Sequence, residues 1–544
     1  MAILTIEKRP PKKLMSADEP LLPAAGQGED GCDRIARWFV MVVAAGLVWR
    51  LARFGLHFEL TGDEANILRS VMERSYAGLL DPLSYNNVSP PMFLWMTKFI
   101  DGVFQNDWAA RLAPFLAGIG AVAMFGLICR EALRGTARWV AWAVFCVSYV
   151  PIAEGTRVKS YAIDLLAATV VLWLMLRWAL GGRQARHLVW LALCAPLFVW
   201  LSYTSVFVIG AAGFFWAVCL IKTRLISKEA LDHSERWGWR NIAAGLAFAA
   251  ASVVSAIFLY KINIRPGLDA SLSNGLADAW KRGYPPLDQP WKIPLWLLTV
   301  HTGRGFAWPI GENHFGSTLT FLLWLTGLAV CWRRGNRWVW ALLVAPQVLA
   351  LAAAFLHKYP YLQNPRLCMF LGPGICLFAG AGVAFLIDKL GGEKRRRCYC
   401  LAAGALMLCA CGGLGRDVAM RVREFRGPGI RGTLMEASRR VGADGQFVLL
   451  NDAGASGVSS YYLQREIKQK VWQNGQVPTP MAPGLRLALV VVSSKTSGTN
   501  DNLLFGEFEK RLGRPVKTRW SQVAHQVLLD SKDSVAVRVC EREN

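Results

Sequence analysis

The sequence predicts a polytopic α-helical membrane protein, with about eleven transmembrane helices, amphipathic loops on one side and a small C-terminal α/β domain. Three observations predict it. Hydrophobic residues make up 53% of the 544, and they fall in long runs where a soluble chain would interleave polar surface. Many runs approach the ~20 apolar residues that a helix needs to cross a bilayer. The cations collect in short clusters between alternate runs, which is the pattern of loops on one side of a membrane.

The spans are expected at 36–54, 109–129, 138–153, 160–180, 187–201, 203–221, 242–262, 318–332, 338–357, 367–388 and 398–415. The residues before them, 1–33, are polar and begin with Lys8, Arg9, Lys12 and Lys13, which predicts a disordered cytoplasmic tail. The first apolar run comes too late for a cleavable signal. Residues 34–415 then form the transmembrane domain and 416–544 the α/β domain. Strands are expected at Gln446–Leu450, Leu485–Ser493, Gln526–Leu529 and Val535–Val539, with a helix over Gly457–Arg465. Met92–Phe104 and Trp280–Trp296 are aromatic and amphipathic, and suit helices or turns lying in the headgroup layer.

Charge orients the chain. Arg130, Arg134 and Arg138 separate spans two and three; Arg183 and Arg186 follow span four. Lys222 to Arg240, Arg333 to Arg337, and Lys389 to Arg397 follow spans six, eight and ten. All these connections lie on the side of the basic N-terminus, which is therefore the cytoplasm. An odd number of spans places the C-terminal domain outside. A net charge of +23 would by itself admit nucleic acid. Its scatter between apolar runs argues against that, since such a binder gathers cations on one soluble face. Most of the 13 Cys sit inside apolar runs as small hydrophobes, and the Cys398/Cys400 and Cys409/Cys411 spacings are not those of zinc sites.

Chemistry is concentrated outside the bilayer. Thr61-Gly62-Asp63-Glu64 follows the first span. Thr61 can cap a helix with the acids in its first turn; equally, Asp63 or Glu64 can take a proton or bind a metal at the membrane surface. Before the fourth span, a helical reading places Arg157, Tyr161 and Asp164 on one face. An acid such as Asp164 inside a membrane normally faces a cavity or a partner, so it is a functional candidate or half of a pair with Arg157 or Lys159. Before the tenth span, Asn364 suits an N-cap and Pro365 a first helical residue, which puts Arg366 in the first turn, a ready phosphate site or a headgroup anchor. Tyr284-Pro285-Pro286, His301 and Arg304 lie in the second long outer loop, where ordinary interfacial residues are the simpler reading.

Taken in order, Gly62-Asp63-Glu64-Ala65, Ser75–Leu80, Tyr85–Pro91, Arg157–Tyr161 with Asp164, Tyr284-Pro285-Pro286, Tyr359-Pro360 and Arg366 resemble bacterial membrane glycosyltransferases of the GT-C superfamily, family 39-like. Relatives include protein O-mannosyltransferases and the lipid A aminoarabinose transferase. The resemblance covers about Arg34 to Arg465. It implies a polyprenyl-phosphate-linked sugar as donor, a lipid, glycan or protein acceptor, and inversion at the bacterial plasma membrane's outer face. It implies that Asp63 activates the acceptor with Glu64 beside it, that Asp164 is a second acid, and that Arg366, Lys159 and Arg157 hold the donor phosphate. Tyr161, Tyr284, Tyr359, His301 and Arg304 complete the candidate pocket, and a divalent metal would bind at Asp63 or Glu64. Ser89 stands where the aminoarabinose branch places a Lys before its paired prolines. A flippase of lipid-linked sugars or a diphosphate-donor ligase are the rival readings; the first predicts paired repeats, which the sequence does not show.

Overall fold

The structure is a computed structural model describing residues 29–83, 87–226, 238–267, 280–313, 315–334, 337–426, 430–442, 446–449, 454–469, 471–472, 487–494, 518–530 and 533–542. Most of the expected tail therefore lies outside the described residues, and the first helix, α1 (Glu29–Leu56), already starts within it.

All eleven expected spans fall on helices. Eight segments are long and apolar enough to cross a bilayer: Arg34–Leu56 of α1, Asp107–Ala132, Tyr161–Leu180, Ser205–Lys222, Trp239–Gly267, Arg337–Phe355, Met369–Asp388 and Gly392–Arg421. They contain α4 (Asp107–Ala110), α5 (Leu112–Ala132), α8 (Tyr161–Leu180), α10 (Ser205–Ile226), α11 (Trp239–Leu259), α14 (Arg337–Phe355), α15 (Gly372–Asp388) and α16 (Gly392–Arg426). Two apolar helices are shorter, α9 (Ala185–Leu201) and α13 (Thr318–Arg334). The expected third span is broken into α6 (Thr136–Cys146) and α7 (Tyr149–Glu154). Pro151, without an N–H, is tolerated in the first turn of a new helix but not in the continuation of an old one. The carbonyl of Cys146 freed at the break accepts from the buried Arg50 guanidinium, as an apolar surrounding demands.

The bundle core is a single apolar cluster running through these helices. α13 and α15 touch backbone to backbone: a Cβ at Gly327 would sit 1.8 Å from the Phe378 carbonyl oxygen, and one at Gly382 would sit 2.0 Å from that of Leu323. Only glycine permits this approach, a common device where helices pack in lipid.

At one end of the bundle lie two short helices, α2 (Gly62–Glu73) and α3 (Pro91–Phe104), the latter where an interfacial helix was expected. α12 (Ile293–Thr302) belongs to the other long loop. The C-terminal domain sits at the same end. It comprises α17 (Ile430–Val441), β1 (Gln446–Leu449), α18 (Gly454–Tyr462), β2 (Val471–Trp472), β3 (Leu487–Ser494), β4 (Thr518–Asp530) and β5 (Asp533–Arg542). The sheet order is β2-β1-β3-β5-β4, with β1 parallel to β2 and β3 and the other pairs antiparallel. All four expected strands are present; the two-residue β2 is too short to show in a pattern of alternation. The boundary expected at 416 falls inside α16, which runs on to Arg426. A second apolar cluster joins α2, α3 and the start of α8 to α17, β1 and α18.

Candidate functional site

Thr61 precedes α2, and the Glu64 carboxylate accepts from the Thr61 backbone N–H (3.0 Å) and hydroxyl (2.9 Å). This fixes the first turn, as a capping box does. The stripe Glu64, Ile67, Leu68 and Val71 is buried, at the spacing of one helical face. Asp63 therefore falls off that face, and its side chain keeps 54% of its exposure. Glu64 is 1% exposed; its other oxygen accepts the Val158 N–H at 2.9 Å and lies 3.7 Å from Arg111 Nε.

The bond from Val158 decides the approach to α8. It holds 157–159 in an irregular turn, so the helix starts only at Tyr161. The expected helical face through Arg157 is thus corrected: Arg157 pairs with Glu154 at 3.0 Å, away from Asp164. Lys159, in the same turn, points to Asp63, with Nζ 3.7 Å from Oδ2 and 3.2 Å from Asn87 Oδ1. It is 8% exposed. Burial pushes its ammonium below the ordinary lysine range, Asp63 opposes that shift and Arg366 adds to it.

Arg366 completes the group, its guanidinium 3.9 Å from Asp63 Oδ2. It does not sit in a helical first turn, which corrects the second expectation. The Asn364 side chain accepts the Arg366 N–H at 3.3 Å, closing an Asx turn of the kind that competes with helix. Pro373, not Pro365, occupies the first turn of α15. Arg366 therefore acts through its own charge and not beside a helix dipole.

Asp164 lies in the first turn of α8, 3% exposed, with the Ser202 and Thr204 hydroxyls against it at the break between α9 and α10. Tyr161 is within electrostatic reach of Arg366 and Asp63. Burial pushes the Tyr359 phenol well above its ordinary range, and Cys368, Asp164, Tyr161 and Tyr284 act in the same direction. The Tyr359 hydroxyl donates to the Leu367 carbonyl at 2.7 Å, which ties that ring to the Arg366 turn. Tyr284 packs on His357, ring centroids 4.9 Å apart.

His301 and Arg304 stand apart. His301 Nε2 is 3.0 Å from the Tyr361 hydroxyl, itself an acceptor from Gln347, and Nδ1 is 2.8 Å from the Leu297 carbonyl. Arg304 is exposed. Neither meets Asp63, because the end of α12 turns His301 into an aromatic nest with Phe306 and Phe321.

Asp63 faces two cations, and both Glu64 oxygens are engaged by Thr61, Val158 and Arg111. Among the described residues no three His, Cys, Asp or Glu gather into a ligand set. Sequence reading missed Arg111, although a cation at the mouth of a span is a signal in itself. It quoted Asn87 only as part of a motif, and residues 84–86 beside it lie outside the described residues. It also missed Tyr203, whose hydroxyl lies 2.8 Å from the Ser89 carbonyl and against the side-chain oxygen of Asn263, two acceptors for its one proton. Asn263 in turn donates to the Leu80 carbonyl at 2.8 Å.

No family model and no curated protein sequence matches the chain. Solved structures do. ArnT from Cupriavidus metallidurans bound to undecaprenyl phosphate superposes with a TM-score of 0.54 over 92% of this chain and 98% of its own, at 13% identity. The apo state of the same protein gives 0.51 over 92% and 97%, at 14% identity. The chain therefore shares the fold of these two ArnT structures, the fold that the resemblance of its motifs implies.

Proposed function

We propose that the protein transfers a sugar from a polyprenyl-phosphate donor to a hydroxyl or amine acceptor on the outer face of the plasma membrane, inverting the anomeric centre. One observation carries the reading: a half-exposed carboxylate, Asp63, stands between a buried lysine and an arginine at 3.7 and 3.9 Å. These separations are too long for hydrogen bonds, so the three groups balance one another's charge while leaving room for a ligand. The donor phosphate takes Lys159 and Arg366, which stabilise the negative charge left as the bond from the anomeric carbon to the phosphate oxygen breaks. Asp63, relieved of the cations, accepts the acceptor proton as the new bond forms. Glu64 holds the turn that carries Lys159 and the first turn of α2. Asp164, Tyr161, Tyr359 and Tyr284 line the sugar side.

The fold of a structure solved with undecaprenyl phosphate and the cations between alternate spans support the donor class and the side. The test is a lipid analysis of membranes carrying wild-type protein, Asp63→Asn or none. A polyprenyl-phosphate sugar accumulating equally in the last two, with one glycan lost, is the expected result. Unchanged lipid pools and glycans with the wild-type protein expressed would sink the reading.

A further inference from the structure

We propose that the C-terminal domain is the back wall of the Asp63 helix, and that the buried Asp101–Arg465 contact is a positioning pair that sets where Asp63 stands. The inference rests on the proposed transferase only for its kinetic arm.

Among the described residues, the first half of the domain shares its apolar core with α2. Ile430 and Leu434 of α17, Phe447 of β1 and Tyr461 of α18 are fully buried in the same apolar cluster as Ile67 and Leu68 of α2. Removing the domain would strip the covered face of α2, and an amphipathic helix of 12 residues does not stand alone in water. Polar contacts then fix the register. The Tyr462 hydroxyl accepts the Leu60 N–H at 3.2 Å, three residues before Asp63. The Glu59 carboxylate accepts the N–H groups of Ile430 and Arg431 at 3.3 and 3.4 Å, a favourable place for an anion at the start of α17. Arg465 donates to both the carbonyl (3.0 Å) and the carboxylate of Asp101 on α3. α3 packs in turn on α2 and begins just after the loop bearing Asn87, the partner of Lys159.

The helix that leads into the domain is pinned as well. Asp417 of α16 takes the Trp49 indole N–H at 2.8 Å and pairs with Arg53 of α1. A freely swinging sensor would not be bolted to α1, α2 and α3 at once. Burial pushes the Asp101 carboxyl up and Arg465 draws it back down, so Asp101 depends on Arg465 for its charge. Loss of Arg465 leaves a buried acid to be protonated or to turn outward, and α3 moves with it.

The experiment uses the full chain in lipid nanodiscs as wild type, Arg465→Met, Arg465→Lys and Tyr462→Phe. Hydrogen exchange over 59–73 reports the clamp without any reaction, since local opening sets its rate. Steady-state kinetics with a polyprenyl-phosphate sugar reports its consequence. Arg465→Met is expected to speed exchange over 59–73 about fivefold and lower kcat about tenfold with donor KM within about twofold, the cost of a small misplacement. Arg465→Lys restores most of both, and Tyr462→Phe gives a smaller change of the same kind. Folded variants whose exchange over 59–73 matches wild type would overturn the proposal, as would a lowered melting temperature with unchanged kcat. If Arg465→Met does not fold, the Lys and Tyr462→Phe variants decide by the same criteria. A wild-type protein that transfers no sugar sinks the transferase, while the exchange arm still judges the clamp.

Discussion

Two clusters of charge meet at the start of α2, and adjacent residues serve them. Asp63 belongs to an open cluster with Lys159 and Arg366, at separations of 3.7 and 3.9 Å. Glu64 belongs to a closed one, where Thr61, Val158 and Arg111 engage its oxygens and Arg111 continues to Asp107 at 3.6 Å and the Phe58 carbonyl at 2.7 Å. His57 closes the chain on Asp107 at 3.0 Å. The ion pairs of both clusters stand beyond hydrogen-bond distance; what differs is that Thr61 and Val158 hydrogen-bond the oxygens of the buried Glu64, whereas Asp63 is half-exposed and open to another ion. The sharpest way to break this division is to remove the charge of each acid in turn. Asp63→Asn is expected to lower kcat about a thousandfold, within the usual range for loss of a positioned base, with the melting temperature unmoved. An equal loss of stability in that variant would place Asp63 in the structural class.

Glu64→Ala should do the reverse. It leaves the buried Val158 N–H without its acceptor and takes one of two carboxylates from Arg111, which costs about 3 kcal/mol. The expected outcome is a clear drop in melting temperature in detergent, with kcat per folded molecule less affected than in Asp63→Asn. Arg366→Ala comes next in size. It removes a half-exposed cation from the donor phosphate, and donor KM should rise about thirtyfold in steady-state assays with little change in acceptor KM. An effect confined to the acceptor would move Arg366 out of the donor site.

The bundle was readable because lipid imposes length and polarity on every span, and all eleven apolar runs are helical. The acid pair was readable because Thr61-x-x-Glu64 is a local capping pattern. The errors share one cause. Arg157 and Arg366 were given helical positions from local propensity, and in each case a hydrogen bond to a side chain, Glu64 or Asn364, holds the backbone out of the helix. Asp101 with Arg465, 364 residues apart, leaves no trace in any window of sequence. Arg111 pairs with Glu64 across a loop for the same reason.

A smaller effect tests the state of Lys159. Burial holds its folded pKa below the ordinary 10.5, although Asp63 pulls the other way. The protonated form binds phosphate, so donor affinity should fall as pH rises through that lowered value, sooner than an unperturbed lysine would lose its proton. Donor binding followed by fluorescence quenching across pH checks the sign. Lys159→Arg keeps its charge over this range, and its binding curve should stay flat; the same fall in both proteins would assign the titration elsewhere.

The smallest expected effect concerns His301 and Arg304, the two candidates that the structure does not bring to Asp63. His301 is pushed towards its neutral form by burial, with the Leu297 carbonyl opposing, and its ring bonds serve Tyr361 and α12. It carries no proton towards Asp63. His301→Gln and Arg304→Ala should each leave donor and acceptor KM and kcat within about twofold, with His301→Gln lowering the melting temperature slightly, as loss of one neutral hydrogen bond does. The two measurements separate a brace from a binding residue. A brace shows in the melting curve alone, whereas a tenfold change in either KM at constant stability would extend the open cluster to α12 and redraw the boundary between the two kinds of charge.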